Sequence, residues 1–437
     1  MRALDGVTIV SLEQAVAAPI ATRHLADLGA RVIKIERPDG GDFARGYDEA
    51  VRGISSHFVW LNRGKESVAL DLKSARGREA LGALLAHADV FVQNLAPGAA
   101  DRLGFGSAAL RAAHPRLVVV EMSGYGSSGP LRAKRAYDLL VQGETGLASV
   151  TGTAGEAVKT GIPVADIGAG LYAFSAVLAA LLRRERGGGG ACVEVSMFDA
   201  IAEWMGHPLY TTLHTGAQPP RAALGHPAIV PYDAYPTADG TDVLIGVQND
   251  RQWRALAAEV LGRPDLAEHP DYATNVARCR HRPAVDALIG EVTARLTVAE
   301  LVRALDDAGI GNARLNSVHG LADHPQLAAR DRWRTVETPV GPVEAVLPAI
   351  TFTDTEARMD AVPALGEHTE AVLAEFGIGA DEAPVYEAPV YTAASADEAS
   401  VHTASADEAP AEGRSAAAKS PAEDSAAEDS EEEVSGR

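Results

Sequence analysis

Cysteine is nearly missing from this 437-residue chain: Cys192 and Cys279 stand far apart, with no Cys or His partners at metal-ligand spacing. That excludes a disulfide framework, indicates no metal site, and fits a reducing cytoplasm. Aromatic residues are also sparse, at 5%. The longest uncharged run is shorter than a bilayer requires, and the N-terminal MRALDGVTIVSLEQ places Asp5 where an export signal would be apolar, so neither membrane insertion nor export is expected. Positive charge is scarce. The formal net charge of −21 argues against a nucleic-acid partner, which requires clustered Lys and Arg. Much of the excess is local: Asp381 to Arg437 holds fifteen acidic and three basic residues, so −12 belongs to that segment and −9 to the rest. No P-loop is present, so any phosphates would be held rather than transferred.

What is present predicts a large α/β protein. At 46% hydrophobic residues, a chain of this length buries a sizeable core, as two domains or one large unit. Val7 to Leu12 predicts a first strand, Pro19 to Leu28 a helix stopped by Gly29, and Arg31 to Glu36 (RVIKIE) a second strand. Ser67 to Leu72, Val90 to Gln93, Leu117 to Met122 and Ala191 to Met197 predict four more, with a helix from Ala75 to His87 between the first two. The uninterrupted apolar run at Leu117 is the mark of a sheet covered on both faces. This alternation predicts a mainly parallel, doubly wound sheet, with ligands gathering at the carboxyl ends of its strands. The pattern loosens from Glu203 to Pro220, as in a crossover, and a second unit begins near Ala222. Ile229 to Pro236 and Asp242 to Val247, joined at Ala238-Asp239-Gly240, predict a hairpin; three helices follow, then strands within Trp333 to Phe352 and a helical region from Met359 to Phe376. Beyond about Gly379, repeated EAPVY and SADEA segments predict a disordered acidic tail.

The stretch Lys159 to Ala200 organises the rest. Thirteen residues from Gly170 to Leu182 carry no charge, Asp166 stands ahead of them, and Arg183, Arg184 and Arg186 close the helix before four glycines. Asp166 is expected to cap this helix. Gly168 and Gly170 beside it suggest room for a ligand's close approach. Gly168 to Ala173 also fits the dinucleotide pattern G-x-G-x-x-A, with Glu194 downstream as the ribose contact. Asp166 would then repel the pyrophosphate, and Pro163 interrupts the strand that should lead in, so that reading is set aside. A second match, Gly104 to Ala109, follows no strand.

Cations after strands carry more. Arg37 closes RVIKIER, Lys73 follows Leu70-Asp71-Leu72, and Arg102 follows Asn94 by eight residues. A parallel sheet brings these strand ends to one rim, which suits a ligand carrying several phosphates.

Four blocks in order, LADLGARVIKIERPDGGD, VFVQNLAPGAADRLGF, SGYGSSGP with a downstream AYD, and the Asp166 helix, resemble the class III CoA-transferases, which include formyl-CoA transferase and the related α-methylacyl-CoA racemases. The resemblance implies a Rossmann-like large domain (residues 1–202), a crossover (203–221), a smaller α+β domain (222–330) and a return to the large domain (331–378), with residues 379–437 as tail. It also implies an interlocked homodimer. By residue-wise match, Asp166 falls on the family's catalytic aspartate. Arg37, Leu72, Lys73, Asn94 and Arg102 fall on positions holding the nucleotide and pantetheine of coenzyme A, Val16 and Ala17 on a stretch lining the thioester, and Arg135 and Tyr137 on positions near the pantetheine end. Coenzyme A enters as a substrate, and no tightly bound cofactor is expected.

Two departures narrow the reading. The racemase branch carries a histidine where this chain has Tyr137, and an ordinary phenol is a poor base at neutral pH. Formyl-CoA transferase has a glycine-rich loop where this chain offers Gly225-His226-Pro227, and a glutamine at the position of Val16. Gly225 and His226 therefore suggest a larger acid with a second carboxylate, of four or five carbons. The expected function is transfer of CoA from an acyl-CoA to a carboxylic acid through an aspartyl-CoA thioester at Asp166. A racemase, or an acyl-CoA-binding protein without turnover, are the alternatives.

Overall fold

The structure is a computed structural model that describes residues 1–378; the acidic tail expected from residue 379 lies outside the described residues. Its centre is a six-stranded sheet of β1 (Thr8–Leu12), β2 (Arg31–Glu36), β3 (Lys65–Ala69), β4 (Val90–Gln93), β5 (Val118–Ser123) and β6 (Cys192–Ser196). All neighbouring pairs are parallel, in the order β3-β2-β1-β4-β5-β6. This is the Rossmann order, and the direction of winding reverses between β1 and β4.

Period-two alternation sends neighbouring residues to opposite faces. Ile9, Val32, Val90 and Val118 pack on one side with helices α1 (Ala17–Asp27) and α4 (Val164–Arg183). Val10, Ile33, Phe91 and Val119 pack on the other with α2 (Ala75–Ala86). Two further helices shape the site, α3 (Asp138–Glu144) and α5 (Met197–Trp204). The expected loosening after Glu203 is instead the end of α5 followed by α6 (Gly206–Thr215).

By length and composition alone, residues 164–188 are long and apolar enough to cross a membrane, although the uncharged run within them is shorter. Half of that apolar stretch is buried inside the protein, where α4 packs on α1 and on the sheet. Asp166 and Arg183, at its two ends, interrupt the uncharged run without ending the apolar helix.

A second core gathers around Val243, Ile245, Trp253, Val285, Ile289 and Leu301. It covers an antiparallel sheet of β7 (Tyr232–Pro236), β8 (Asp242–Gly246) and β9 (Gly311–Arg314). The chain then returns to the first sheet: Val372 and Leu373 join the core under α2, and the Thr369 hydroxyl accepts from the Ala69 N–H at 2.9 Å. The helical region expected from Met359 is shorter, Thr369–Glu375. The preceding segment, with prolines at 348 and 363, is largely irregular and held by single backbone bonds such as Arg358 N–H to Asp27 O.

Candidate active site

Asp166 does not cap α4. Pro163 occupies that position, and Asp166 lies in the first turn. The cap comes from 27 residues upstream: Asp138, at the start of α3, accepts the Ala165 N–H at 2.8 Å through Oδ1 and the Gln142 amide at 2.6 Å through Oδ2. The Asp166 carboxylate makes no side-chain hydrogen bond among the described residues and is half-buried. Burial, and secondarily the charge of Asp138, push its carboxyl up to about 7. A carboxylate that is neither capping nor paired, and is more basic than usual, has the properties of a nucleophile rather than of a structural acid.

The two glycines beside it do not clear space for a ligand. A Cβ at Gly168 would stand 2.9 Å from the Trp204 ring, and one at Gly170 would stand 2.2 Å from Ile20 Cγ2 and 2.6 Å from Ala17 O. They permit helix contact. Being inside α4, their N–H groups are committed to the helix ladder and unavailable to an oxyanion. Gly170 is one turn from Asp166 on the same face, so its contact with Ala17 sets Asp166 against the start of α1. Val16, Ile20 and Leu61 pack against Ile167 in the same place.

The start of α1 supplies what the glycines do not. No side chain caps it, Pro19 has no N–H, and the first paired amide is Ile20, donating to Val16 O. The N–H groups of Ala17 and Ala18 thus have no acceptor among the described residues, although both residues are buried. Two unpaired donors at a helix N-terminus favour developing negative charge.

The turn before α1 is clamped from both sides. Asn94, at the end of β4, accepts the Gln14 N–H and donates its amide to Gln14 O, each at 2.9 Å. Asp42 accepts the Ala15 N–H at 2.8 Å. Ala15 itself sits at φ +63°, in the left-handed region. Behind Asp42 is a buried charge network: Lys34 Nζ reaches Asp42 at 2.6 Å and Glu13 at 3.4 Å, and Lys65 Nζ reaches Glu13 at 2.6 Å. All four side chains are almost fully buried. Burial alone would push the Lys34 ammonium down, but Asp42, Glu13 and Glu36 together outweigh it and hold the group above its ordinary range.

The expected coenzyme A positions distribute along the carboxyl edge of the sheet. The Arg37 guanidinium, after β2, donates to Gly41 O and lies 5.1 Å from the ring centroid of the exposed Phe43. Leu72 is half-buried and Lys73 exposed after β3; their carbonyls accept from Arg78. Arg102 is exposed after β4, beside Gly98. Arg135 and Tyr137 follow β5, both exposed, with Tyr137 immediately before α3. Gly225 and His226 are elsewhere. Gly225 packs on Asp233, and the His226 ring lies 5.6 Å from Tyr232 and 6.3 Å from His207. Among the described residues none of their hydrogen bonds or ring contacts reaches Asp166.

The CoA-transferase family III profile matches residues 4–369, most of the chain. The chain belongs to CoA-transferase family III. As such it is an enzyme that uses coenzyme A as a substrate. The transferase is 34% identical over 382 residues to the succinate–glutarate CoA-transferase of Agrobacterium fabrum, covering 85% of this chain and 95% of that one. It is also 34% identical over 377 residues to the acetyl-CoA:oxalate CoA-transferase of Acetobacter aceti, covering 85% and 95%. Among solved structures, a CaiB/BaiF family protein from Brucella suis superposes with a TM-score of 0.74 at 33% identity, covering 86% of this chain and 99% of the other.

The sequence reading missed Asp138, Lys34 and Asp42 in this transferase. Lys34 left a signal, being a cation between Ile33 and Ile35 in the middle of the strand RVIKIE. A charge at such a position must be buried with a partner.

Proposed function

We propose that this transferase moves CoA from an acyl-CoA to a dicarboxylic acid with Asp166 as nucleophile. The observation that carries the reading is the Asp166 carboxylate: unpaired, not capping, made more basic by burial, and set at the carboxyl edge of the sheet against the uncapped start of α1. An Asp166 oxygen attacks the thioester carbonyl, the C–S bond breaks, and a mixed anhydride and the CoA thiolate result. The thiolate attacks the aspartyl carbonyl, the anhydride C–O bond breaks, and the donor acid leaves with aspartyl-CoA in place. The acceptor carboxylate attacks aspartyl-CoA and re-forms an anhydride and thiolate. Attack of the thiolate on the acceptor's carbonyl then gives the new acyl-CoA and restores Asp166. Each step keeps an activated acyl bond, so no single barrier carries the whole exchange. The Ala17 and Ala18 N–H groups face the charge that develops on the carbonyl oxygens.

Arg37, Lys73 and Arg102 hold the phosphates and adenine, Asn94 and Leu72 the pantetheine approach, and Val16 and Ala17 the thioester. Arg135 and Tyr137 flank the pantetheine end. The relatives' names include both a C4–C5 pair and oxalate; Val16 favours the longer acids. Leu209, Tyr210 and Leu213 leave α6 apolar and exposed in the single chain, which supports a homodimer as the working form. The protein works in the cytoplasm, with neither membrane nor nucleic acid as a partner.

The test is mass spectrometry of the protein mixed with succinyl-CoA and no acceptor. A species heavier by CoA less water, trapped by hydroxylamine at residue 166, is expected. Absence of that adduct, with Asp166→Asn turning over normally, would remove the reading.

A further inference from the structure

We infer that Asp42 is a positioning residue for the transfer reaction, acting through the Ala15 turn; the inference rests on the Asp166 reading. An L-residue in the left-handed region costs about 1–2 kcal/mol, so something must hold Ala15 there. Two groups hold the turn, the Asn94 amide on Gln14 and the Asp42 carboxylate on Ala15. Only Asp42 bonds the strained residue itself. Its other oxygen is taken by the fully buried Lys34, and its own N–H donates to Glu36 at 3.0 Å. The carboxylate therefore has little freedom. Ala15 leads directly into Val16 and the two unpaired N–H groups of α1, so the angle at Ala15 sets where those donors point relative to Asp166. Lys34 and Glu13 carry no role in the chemistry; Lys34, itself held by Glu13, fixes the Asp42 carboxylate in a buried site.

An isosteric amide exposes this role. The side chain introduced by Asp42→Asn has one acceptor oxygen where the carboxylate has two, and the Lys34 ammonium, a stronger donor than a peptide, would claim it. The Ala15 N–H would then face an NH2 group. Asp42→Asn should lower kcat with succinyl-CoA and glutarate by about 100-fold, the scale of an ångström-sized misplacement. KM for succinyl-CoA should stay within about threefold, because the Asp42 carboxylate bonds Ala15, Lys34 and the Ala44 N–H and none of the proposed phosphate-binding side chains. Lys34→Met added to Asp42→Asn frees the amide oxygen to return to Ala15 and should regain at least tenfold of the loss, which a merely structural defect would not do.

Should Asp42→Asn fold poorly, the same change is made with Ala15→Gly, since glycine takes φ +63° without steric cost. Ala15→Gly alone should keep kcat within about threefold, and Ala15→Gly with Asp42→Asn should lose about 100-fold in kcat and in the rate of adduct formation, because glycine is unstrained there but holds no single angle once the Asp42 bond is gone. Equal kcat in these two, or Asp42→Asn folded with kcat within about twofold of the parent, would overturn the inference. A parent that forms no adduct with succinyl-CoA would instead overturn the Asp166 reading, so the two failures are distinct.

Discussion

Replacing Asp166 by Asn should abolish transfer and yet make the protein more stable above neutral pH. The unfolded carboxyl titrates near its ordinary 3.8, and the folded one is pushed up to about 7, first by burial and then by Asp138. The folded state therefore binds more protons than the unfolded state between those values, and stability falls as pH rises through that window. Above it the full cost of holding the charge is present. At about 1.4 kcal/mol per tenfold, the interval amounts to about 4 kcal/mol. Asparagine carries no such cost, and because Asp166 does not cap α4, no cap is lost with it. Taking about 2.1 cal/mol/K per residue over the described chain, the unfolding entropy is about 0.8 kcal/mol/K, so the gain corresponds to about 5 °C in Tm. Differential scanning calorimetry of both proteins from pH 4 to pH 8 gives the answer. The Tm difference should be near zero at the acid end, open between about pH 4 and 7, and level off above. A variant less stable than the parent at pH 8, or a Tm difference independent of pH, would refute the claim that burial has made this carboxylate basic.

Three other outcomes follow from the same geometry. Asp138→Asn keeps an oxygen for the Ala165 N–H but removes the neighbouring charge, so the acid limb of kcat/KM should move to lower pH; because burial is the larger cause, it should move only part of the way from about 7, and an unmoved limb in the pH profile would count against the pairing. Gly170→Ala drives a methyl to 2.2 Å from Ile20 Cγ2 and should cost about 1–3 kcal/mol in urea unfolding together with activity, whereas Gly168→Ala meets only the edge of the movable Trp204 ring and should cost less. Lys65→Met removes the closest charged partner of buried Glu13 and should cost about 3–5 kcal/mol; a loss below about 1 kcal/mol in the same denaturation would show that Lys34 and Thr22 suffice for Glu13.

The strands of the parallel sheet were legible because each is a short apolar run with local period, and β2 and β4 fall on the expected residues, Arg31–Glu36 and Val90–Gln93. Asp166 was legible through its place in a recognisable block, but its role in the helix was misread. A cap is a matter of which oxygen reaches a free N–H, and here that oxygen belongs to Asp138, brought from another helix. The glycines misled for a related reason: absence of a side chain shows that something approaches closely, and only the packing of α4 shows that Ala17 and Trp204 do so. The helices across Glu203 to Thr215 were read as loose because α6 has no buried residue to give it an inward stripe.

Sequence alone therefore determined the order of strands and helices, the parallel character of the sheet and the rim to which its cations come, since all of these depend on local apolar periodicity and on the handedness of chain connections. Tertiary structure decided which charges are buried and which are free. Glu13, Lys34 and Asp42 come from three separate segments, and their energies depend on distances of about 3 Å that no spacing along the chain encodes. The same holds for Asp166, whose basicity arises from the burial and the Asp138 charge that folding places around it.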